Sequence, residues 1–182
     1  MNTESKVLDI GCGCLRIGIK LINFLEKNCY YGIEPNKFML DAGIKHLLNG
    51  TANDSKDPSF SNTTSFQLDD FKVDKFDYFI ARSIWTHASK EQIIAMLDLF
   101  ESSSRSGAKF FTSIVKNNPK NLDYQGSDWV GKSHEKNSVS GIVHHSMKWI
   151  TEQCDLRSFD VQKIEKSELN FGNQVWLQIQ RK

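Results

Sequence analysis

One segment constrains the fold more than any other: an apolar run enters a glycine-rich turn, and the chain then continues with helical spacing. The segment covers residues 7–18, with an acid at Asp9 and glycines at positions 11, 13 and 18. Glycine reaches positive φ without strain and lets a ligand approach the backbone, so the pattern predicts a strand, a ligand-binding turn and a helix. A dinucleotide fingerprint, G-x-G-x-x-G, would need its third glycine where Arg16 stands. The turn departs from the dinucleotide pattern at that position.

Along the rest of the chain, apolar runs alternate with segments of helical period, which is typical of βα units stacked around a mostly parallel sheet. The predicted strands are 6–10, 30–33, 65–68, 76–81, 109–115, 158–164 and 174–181. The predicted helices are 17–27, 37–48, 90–102 and 146–154. Residues 51–64 are polar and predict a surface loop, and the last two strands predict an antiparallel pair joined around 170–173. Residues 117–145 lack a clear period and predict an active-site insertion.

The composition fits a single domain spanning 1–182. Of 182 residues, 39% are hydrophobic, which is enough to bury a core. A net charge of +1 offers no basic excess for nucleic acid or an anionic membrane. Four cysteines are too few for a disulfide framework, and Cys12 with Cys14 lacks the second ligand pair of a zinc site, so we expect no metal. No apolar run reaches the ~18 residues of a membrane span, and we expect a cytoplasmic protein.

The glycine turn resembles motif I of class I S-adenosylmethionine-dependent methyltransferases, in which an apolar strand precedes D-x-G-x-G. Asp9, Gly11 and Gly13 match the motif, and Leu15 stands where the family usually has another glycine. The resemblance implies that these residues, with Cys12 between the glycines, bind S-adenosylmethionine (SAM).

The second match is Tyr31-Gly32-Ile33-Glu34, at the end of the second predicted strand. The resemblance assigns the Glu34 carboxylate to the ribose hydroxyls of the cofactor, with Pro35 beside it. From the residues alone, a solvated acid that opens the next helix is the alternative, because a carboxylate there favours the helix dipole.

The third match is residues 66–71, Phe-Gln-Leu-Asp-Asp-Phe, where the family places an acid for the adenine amino group beside an apolar residue. Two adjacent acids leave the register open, so either Asp69 or Asp70 could hold that position. Phe71 would then contact the base. A turn acid and a core aromatic are the alternatives.

The fourth match is residues 76–87, in which Phe-Asp precedes a strand and a short polar turn. The resemblance places Arg82 and Ser83 at the methionine end of the cofactor and His87 near the methyl group, and the alternative for His87 is local packing. Arg16 opens the first helix, where its forked guanidinium could meet the methionine carboxylate or an acidic substrate, or face solvent.

Taken over the chain, the resemblance implies an α/β fold: a three-layer αβα sandwich around a mostly parallel seven-stranded sheet, in the order 3-2-1-4-5-7-6, with a C-terminal antiparallel pair. Substrate residues should come from the loops after strands four and five. The candidates for substrate contact are Trp85, Tyr124, Trp129 and His145. The candidates for a general base are His87 and His144, which sequence alone does not rank.

Residues 81–84 read Ala-Arg-Ser-Ile, whereas Asn-Pro-Pro-Tyr or Asp-Pro-Pro-Tyr marks enzymes that methylate amino groups of nucleic acids or glutamine. We therefore expect O-methylation of a small-molecule acceptor, with S-adenosylhomocysteine (SAH) as the other product. The alternatives are a noncatalytic scaffold or regulatory subunit that binds cofactor without turnover, and a nicotinamide-dependent oxidoreductase. Relatives commonly have a helix before the first strand, so we expect a fragment, an open cofactor cleft, or a cover from a partner or a second copy.

Overall fold

The computed structural model describes residues 1–51, 54–116, 122–131, 141–165 and 173–182. Its strands are β1 (Val7–Ile10), β2 (Tyr30–Ile33), β3 (Ser59–Ser61), β4 (Phe76–Ala81), β5 (Ser104–Val115), β6 (Phe159–Ile164) and β7 (Gln174–Arg181). Its helices are α1 (Gly18–Phe24), α2 (Lys37–Gly43), α3 (Lys90–Ser103) and α4 (Met147–Asp155), with a π-helical turn at Ile44–Leu48 and a 3-10 turn at Asp54–Lys56. No helix in these ranges is long and apolar enough to cross a membrane.

The strands form one sheet in the order β3-β2-β1-β4-β5-β7-β6. Neighbours from β3 to β5 run parallel, whereas β7 is antiparallel to both β5 and β6. The predicted order and the antiparallel C-terminal pair are confirmed. β1 and β2 are buried along their whole length, as expected for strands covered on both faces.

Successive residues of β1 point into two different apolar layers, because side chains alternate across a strand. Val7 packs in the layer that contains Ile22 of α1. Leu8 packs in the larger layer, which contains Phe100 of α3 and Ile150 of α4. The sheet is therefore sandwiched between helices, which confirms the predicted three layers.

The third strand lies at a different position from the predicted one. β3 lies inside the segment predicted as a loop, whereas 65–68 is not a strand. β3 is the edge strand beside β2, and its one apolar residue, Phe60, packs edge-on against Tyr30 with ring centroids 6.0 Å apart. An edge strand this short needs little apolar sequence. Phe66 has a φ of +56°, which interrupts an extended chain, and it packs against the larger apolar layer with Leu68.

The topology brings the predicted site residues to one edge of the sheet. β1 lies between β2 and β4, so the chain changes direction across the sheet there, and ligands of open α/β sheets bind beyond the carboxyl ends at such a point. The glycine turn follows β1, Glu34 follows β2 and Arg82 follows β4. Within the predicted insertion, 117–121 and 132–140 lie outside the described residues, as does most of the predicted turn at 170–173.

Candidate functional site

A cavity of about 310 Å³ lies at the carboxyl edge of β1, β2 and β4. The predicted site residues along it are Asp9, Gly11, Cys12, Gly13, Arg16, Glu34, Pro35, Arg82, Ser83, His87 and Trp129. The predicted residues that do not line it are Asp69, Asp70, Phe71, Trp85, Tyr124, His144 and His145. Sequence reasoning did not assign Ile10, Cys14, Ile17, Ile33, Met39, Thr64, Phe66, Ile84 and Gln92, which also line the cavity.

The glycine turn is packed too closely for side chains. Gly11 has a φ of +72°, and a Cβ there would lie 2.1 Å from Cδ1 of Ile84. Leu15 keeps positive φ, at +62°, although it is not glycine, and its side chain is fully buried. A left-handed backbone conformation destabilises an L-residue by about 1–2 kcal/mol, and burial of a leucine side chain stabilises the fold by about 1.5–3 kcal/mol. The turn therefore keeps its backbone conformation where the family glycine is missing.

The Glu34 carboxylate ties this turn to the start of α2. Its Oε2 accepts a hydrogen bond from the Gly13 amide at 2.8 Å, and its Oε1 accepts one from the Asn36 amide at 2.8 Å. Glu34 is only 9% exposed. A carboxylate has about four lone-pair sites, so two acceptor positions remain for a ligand with neighbouring hydroxyls.

Gly43 holds α2 against the turn, and sequence reasoning missed it. A Cβ at Gly43 would lie 2.6 Å from the backbone carbonyl carbon of Cys14 and 2.7 Å from its oxygen. Backbone atoms cannot rotate away as a flexible side chain can, so only glycine allows this approach. The available signal was an isolated glycine inside a helical pattern, which often marks close packing.

Asp9 is bound beneath the turn rather than directed at solvent. Its Oδ2 accepts a hydrogen bond from the Tyr30 hydroxyl at 2.7 Å, and a Cβ at Gly18 would lie 2.4 Å from that hydroxyl oxygen. Burial raises the pKa of Asp9 to about 6; the Tyr30 hydrogen bond opposes the rise and the Glu34 charge adds to it. Burial also raises the pKa of the neighbouring Cys12 thiol well above its usual range, so Cys12 is a neutral side chain here.

The residues expected to read adenine lie elsewhere. Asp69 is exposed, Asp70 accepts a hydrogen bond from the Ser61 hydroxyl, and Phe71 packs edge-on against Tyr31. Because β3 ends at Ser61, these residues follow the strand only after an intervening loop along the chain. Thr64 and Phe66 come to the cavity in their place.

At the other end of the cavity, His87 is held by the described part of the insertion. Its Nδ1 lies 2.6 Å from the carbonyl oxygen of Val130, and the Val130 amide donates to the His87 carbonyl at 2.9 Å. The His87 ring stacks on Trp129, with centroids 5.5 Å apart and planes at 28°. A carbonyl oxygen only accepts, so Nδ1 carries the hydrogen and Nε2 of the neutral ring has the lone pair.

Two further polar groups at this end are also fixed. The Ser83 amide donates to the Ser113 hydroxyl at 2.8 Å, and the Ser83 hydroxyl donates to Oε1 of Gln174 at 3.0 Å. Gln92 lines the cavity while its Oε1 accepts from the Ser89 amide at 2.9 Å, as part of the cap that begins α3. That hydrogen bond leaves the Gln92 amide nitrogen as a donor.

The structure does not bring Trp85 and His145, predicted to contact substrate, to the cavity, and both are buried. Trp85 is fully buried and packs edge-on against Phe110 at 5.8 Å. His145 is 1% exposed, its Nε2 lies 2.9 Å from the Ala88 carbonyl oxygen, and burial lowers its pKa. A neutral ring that donates to a carbonyl is a structural contact.

Tyr124 and His144 form a local pair that the structure does not bring to the cavity. The Tyr124 amide donates to the His144 carbonyl at 2.9 Å, and the Tyr124 hydroxyl donates to the Asp128 carbonyl at 3.0 Å. His144 is 7% exposed. Of the two candidate bases, only His87 lines the cavity.

Comparisons by sequence are limited. No protein-family model matches the chain. An uncharacterized protein of Rickettsia prowazekii is 33% identical over 91 residues, which cover 48% of this chain and 33% of that protein. The match thus spans about a third of the relative's length.

Comparisons with solved structures identify the fold. Magnesium protoporphyrin IX methyltransferase from Synechocystis, solved with bound SAM, superposes with a TM-score of 0.68 at 16% identity, over 98% of this chain and 71% of that chain. The glycopeptide N-methyltransferase MtfA gives 0.70 at 12%, over 98% and 90%. A SAM-dependent methyltransferase from Methanosarcina mazei gives 0.67 at 17%, over 100% and 94%. The chain has the class I SAM-dependent methyltransferase fold, as the resemblance predicted.

Proposed function

We propose that this protein is a SAM-dependent methyltransferase that methylates a hydroxyl oxygen of a small-molecule acceptor. One observation carries the proposal: the same cavity has the Glu34 carboxylate bound to the glycine turn at one end and His87, with its tautomer fixed, at the other. The fold similarity supports the class of reaction. The choice of oxygen rests on the geometry of His87.

The residues present fit SAM at the first end. Gly13 has no described atom closer than 3.5 Å to the position of a Cβ, and Glu34 retains two acceptor positions that suit the vicinal hydroxyls of a ribose. Met39 and Ile84 add apolar surface. When bound, SAM would supply a methyl group activated by its sulfonium.

His87 is suited to remove the proton of an acceptor hydroxyl. Its Nε2 has the lone pair, and its Nδ1 hydrogen stays on the Val130 carbonyl, which also stabilises the ring once Nε2 is protonated. Trp129 covers one face of the ring and limits its rotation. A positioned general base contributes about 10²- to 10⁴-fold in rate.

Isothermal titration with SAH, and in parallel with NAD, tests the proposal. We expect SAH to bind and NAD not to. Replacing Glu34 with Ala removes a charged hydrogen-bond acceptor worth about 1.5–3 kcal/mol, so SAH should bind roughly ten- to hundred-fold more weakly. Glu26→Ala, which removes an exposed acid outside the cavity, is the matched control and should leave SAH affinity unchanged.

The same series separates binding from turnover. We expect His87→Ala to bind SAH like the native chain but to lose transfer from methyl-tritiated SAM to a panel of hydroxylated acceptors. NAD binding without SAH binding would support the oxidoreductase alternative. SAH binding without transfer to any acceptor by the native chain would support the noncatalytic scaffold.

A further inference from the structure

We propose that the acceptor carries an anionic group, a carboxylate or a phosphate, and that the Arg82 guanidinium binds it. This inference rests on the proposed function and specifies its substrate class. Arg82 follows β4 directly, lines the cavity and is partly buried. Carboxylates and phosphates are the groups that match the planar fork of a guanidinium.

The chain has five arginines. Three of them are bound within the fold. Arg105 pairs with Asp77 at 3.0 Å, Arg157 donates to Asp98 at 2.7 Å, and Arg181 donates to the Glu101 carbonyl. Arg16 and Arg82 make no ion pair or hydrogen bond with any described side chain, and both of them line the cavity.

The acids along the described lining of the cavity already accept hydrogen bonds from protein groups. Asp9 and Glu34 are the carboxylates along the described lining. Asp9 accepts from the buried Tyr30 hydroxyl, and Glu34 accepts from two backbone amides. Neither makes an ion pair with Arg82, so no described carboxylate neutralises its positive charge in the cavity.

The other polar groups along the cavity also suit an anionic acceptor that carries a hydroxyl. Among the described residues along the cavity, the Gln92 amide nitrogen offers a further donor. At this end, the lone pair of His87 Nε2 is positioned to take the proton of the substrate hydroxyl. Arg82 would repel a cationic substrate. An anionic substrate with a neighbouring hydroxyl can bind the Arg82 guanidinium through its anion and His87 through its hydroxyl.

Arg16 provides the matched comparison. It is exposed and follows the glycine turn, whereas Arg82 is partly buried and shares the β4 turn with His87. SAM brings one carboxylate of its own, so two guanidiniums along one cavity can serve two different anions. We assign the acceptor anion to Arg82 because it lies on the segment that positions the base.

The test measures binding to the SAH complex with three flat probes: benzoate, phenyl phosphate and the neutral benzamide. We expect both anions to bind the native complex at least tenfold more tightly than benzamide. Arg82→Gln should remove this preference, and its SAH affinity, measured in parallel, should fall much less than that of Glu34→Ala. Arg16→Gln should leave the preference in place.

Each other outcome overturns the assignment or its premise. If benzoate and phenyl phosphate bind no better than benzamide, or do not bind, the proposal that the acceptor is anionic is overturned. If the preference for anions is lost in Arg16→Gln and kept in Arg82→Gln, the choice of arginine is overturned. If Arg82→Gln loses SAH affinity, the Arg82 guanidinium binds the cofactor instead of the acceptor. Failure of the native chain to bind SAH contradicts the proposed function itself, and so is distinguished from these results.

Discussion

The two ends of the cavity are built from contacts of very different range. At the end with the glycine turn, Gly13 pairs with Glu34 and Asp9 with Tyr30, each across 21 residues of chain. At the end with the base, His87 pairs with Val130 across 43 residues, and Ser83 pairs with Gln174 across 91. The first end is built mainly from β1, α1, β2 and α2, with Ile84 of the turn after β4 packed on Gly11, whereas the second needs β4, the insertion and β7 together.

This difference indicates that a substitution at one end of the cavity should impair the function of that end and leave the other end intact. A change in the βαβ unit should reduce cofactor binding and stability together, because the same backbone contacts do both. A change around His87 should leave cofactor binding intact and alter only the acceptor side.

Gly43→Ala should have the largest effect. Its new Cβ would meet the Cys14 backbone, so α2 or the glycine turn must move. We expect SAH affinity to fall about hundredfold or more and the free energy of unfolding to fall by about 1–3 kcal/mol, the usual range for overpacking. Titration calorimetry and denaturant unfolding measure the two quantities.

Gly50→Ala is the control for that variant. Gly50 has a φ of +72°, but a Cβ at this position would have no atom within 4 Å among the described residues. The variant should lose only the backbone preference, about 1 kcal/mol, with SAH affinity unchanged. Equal SAH affinities in the two variants would contradict the role given to Gly43.

Tyr30→Phe should have an intermediate effect that depends on pH. The pKa of Asp9 is about 6 in the folded protein and 3.8 in the unfolded chain. The contribution of Asp9 to stability is therefore greatest below pH 3.8 and is lost as the pH rises through about 6. Removing the Tyr30 hydroxyl raises the folded pKa further. We expect a cost of about 1.5–3 kcal/mol at pH 7.5 and a smaller cost at pH 4.5, from urea unfolding at both values.

Tyr31→Phe tests whether that pH dependence belongs to Asp9. The Tyr31 hydroxyl donates to the Asn28 carbonyl at 2.9 Å, which is a neutral acceptor. Its loss should cost about 1 kcal/mol at both pH values. A pH-independent cost in Tyr30→Phe would contradict the Asp9 assignment.

Gly131→Ala should have the smallest effect on binding. A Cβ there would lie 2.8 Å from Nδ1 of His87 and displace the ring from the Val130 carbonyl. We expect SAH affinity within twofold of native, with loss of the Nδ1-protonated tautomer in long-range ¹H–¹⁵N spectra. Gly141→Ala, where the nearest described atom is 3.7 Å away, should keep the native tautomer. A large loss of SAH affinity in Gly131→Ala would show that the ends are coupled.

Sequence patterns predicted the central strands well and the edge strand badly. β1, β2 and β4 are mostly apolar, with one acid each in β1 and β4, because they lie inside the sheet, and such runs are visible in sequence. β3 contains one apolar residue, Phe60, because an edge strand needs only a little packing. The alternation at 65–68 came from Phe66 and Leu68 packing as loop side chains. Because the third strand was predicted at 65–68, the residues expected to contact the adenine were sought just after that segment instead of after β3.

Among the aromatic and histidine candidates, sequence could not separate core from cavity. Trp85 and His87 are two residues apart on the same turn, yet Trp85 is fully buried against Phe110 and His87 lines the cavity. The pattern around them offers no period by which to assign a face. Gly43 was missed for a related reason, since the Cys14 backbone that it contacts comes from another element.

By itself, the sequence determined the glycine turn, the acid at the end of β2 and the central strands, because these depend on local backbone freedom and on burial of short apolar runs. The order of the strands in the sheet was implied by the family resemblance. Only the tertiary structure decided which histidine reaches the cavity, which arginines pair with other described residues, and how Leu15 keeps a conformation usually held by glycine. Those outcomes depend on side chains from distant segments competing for the same space and the same hydrogen bonds, and no local pattern encodes that competition.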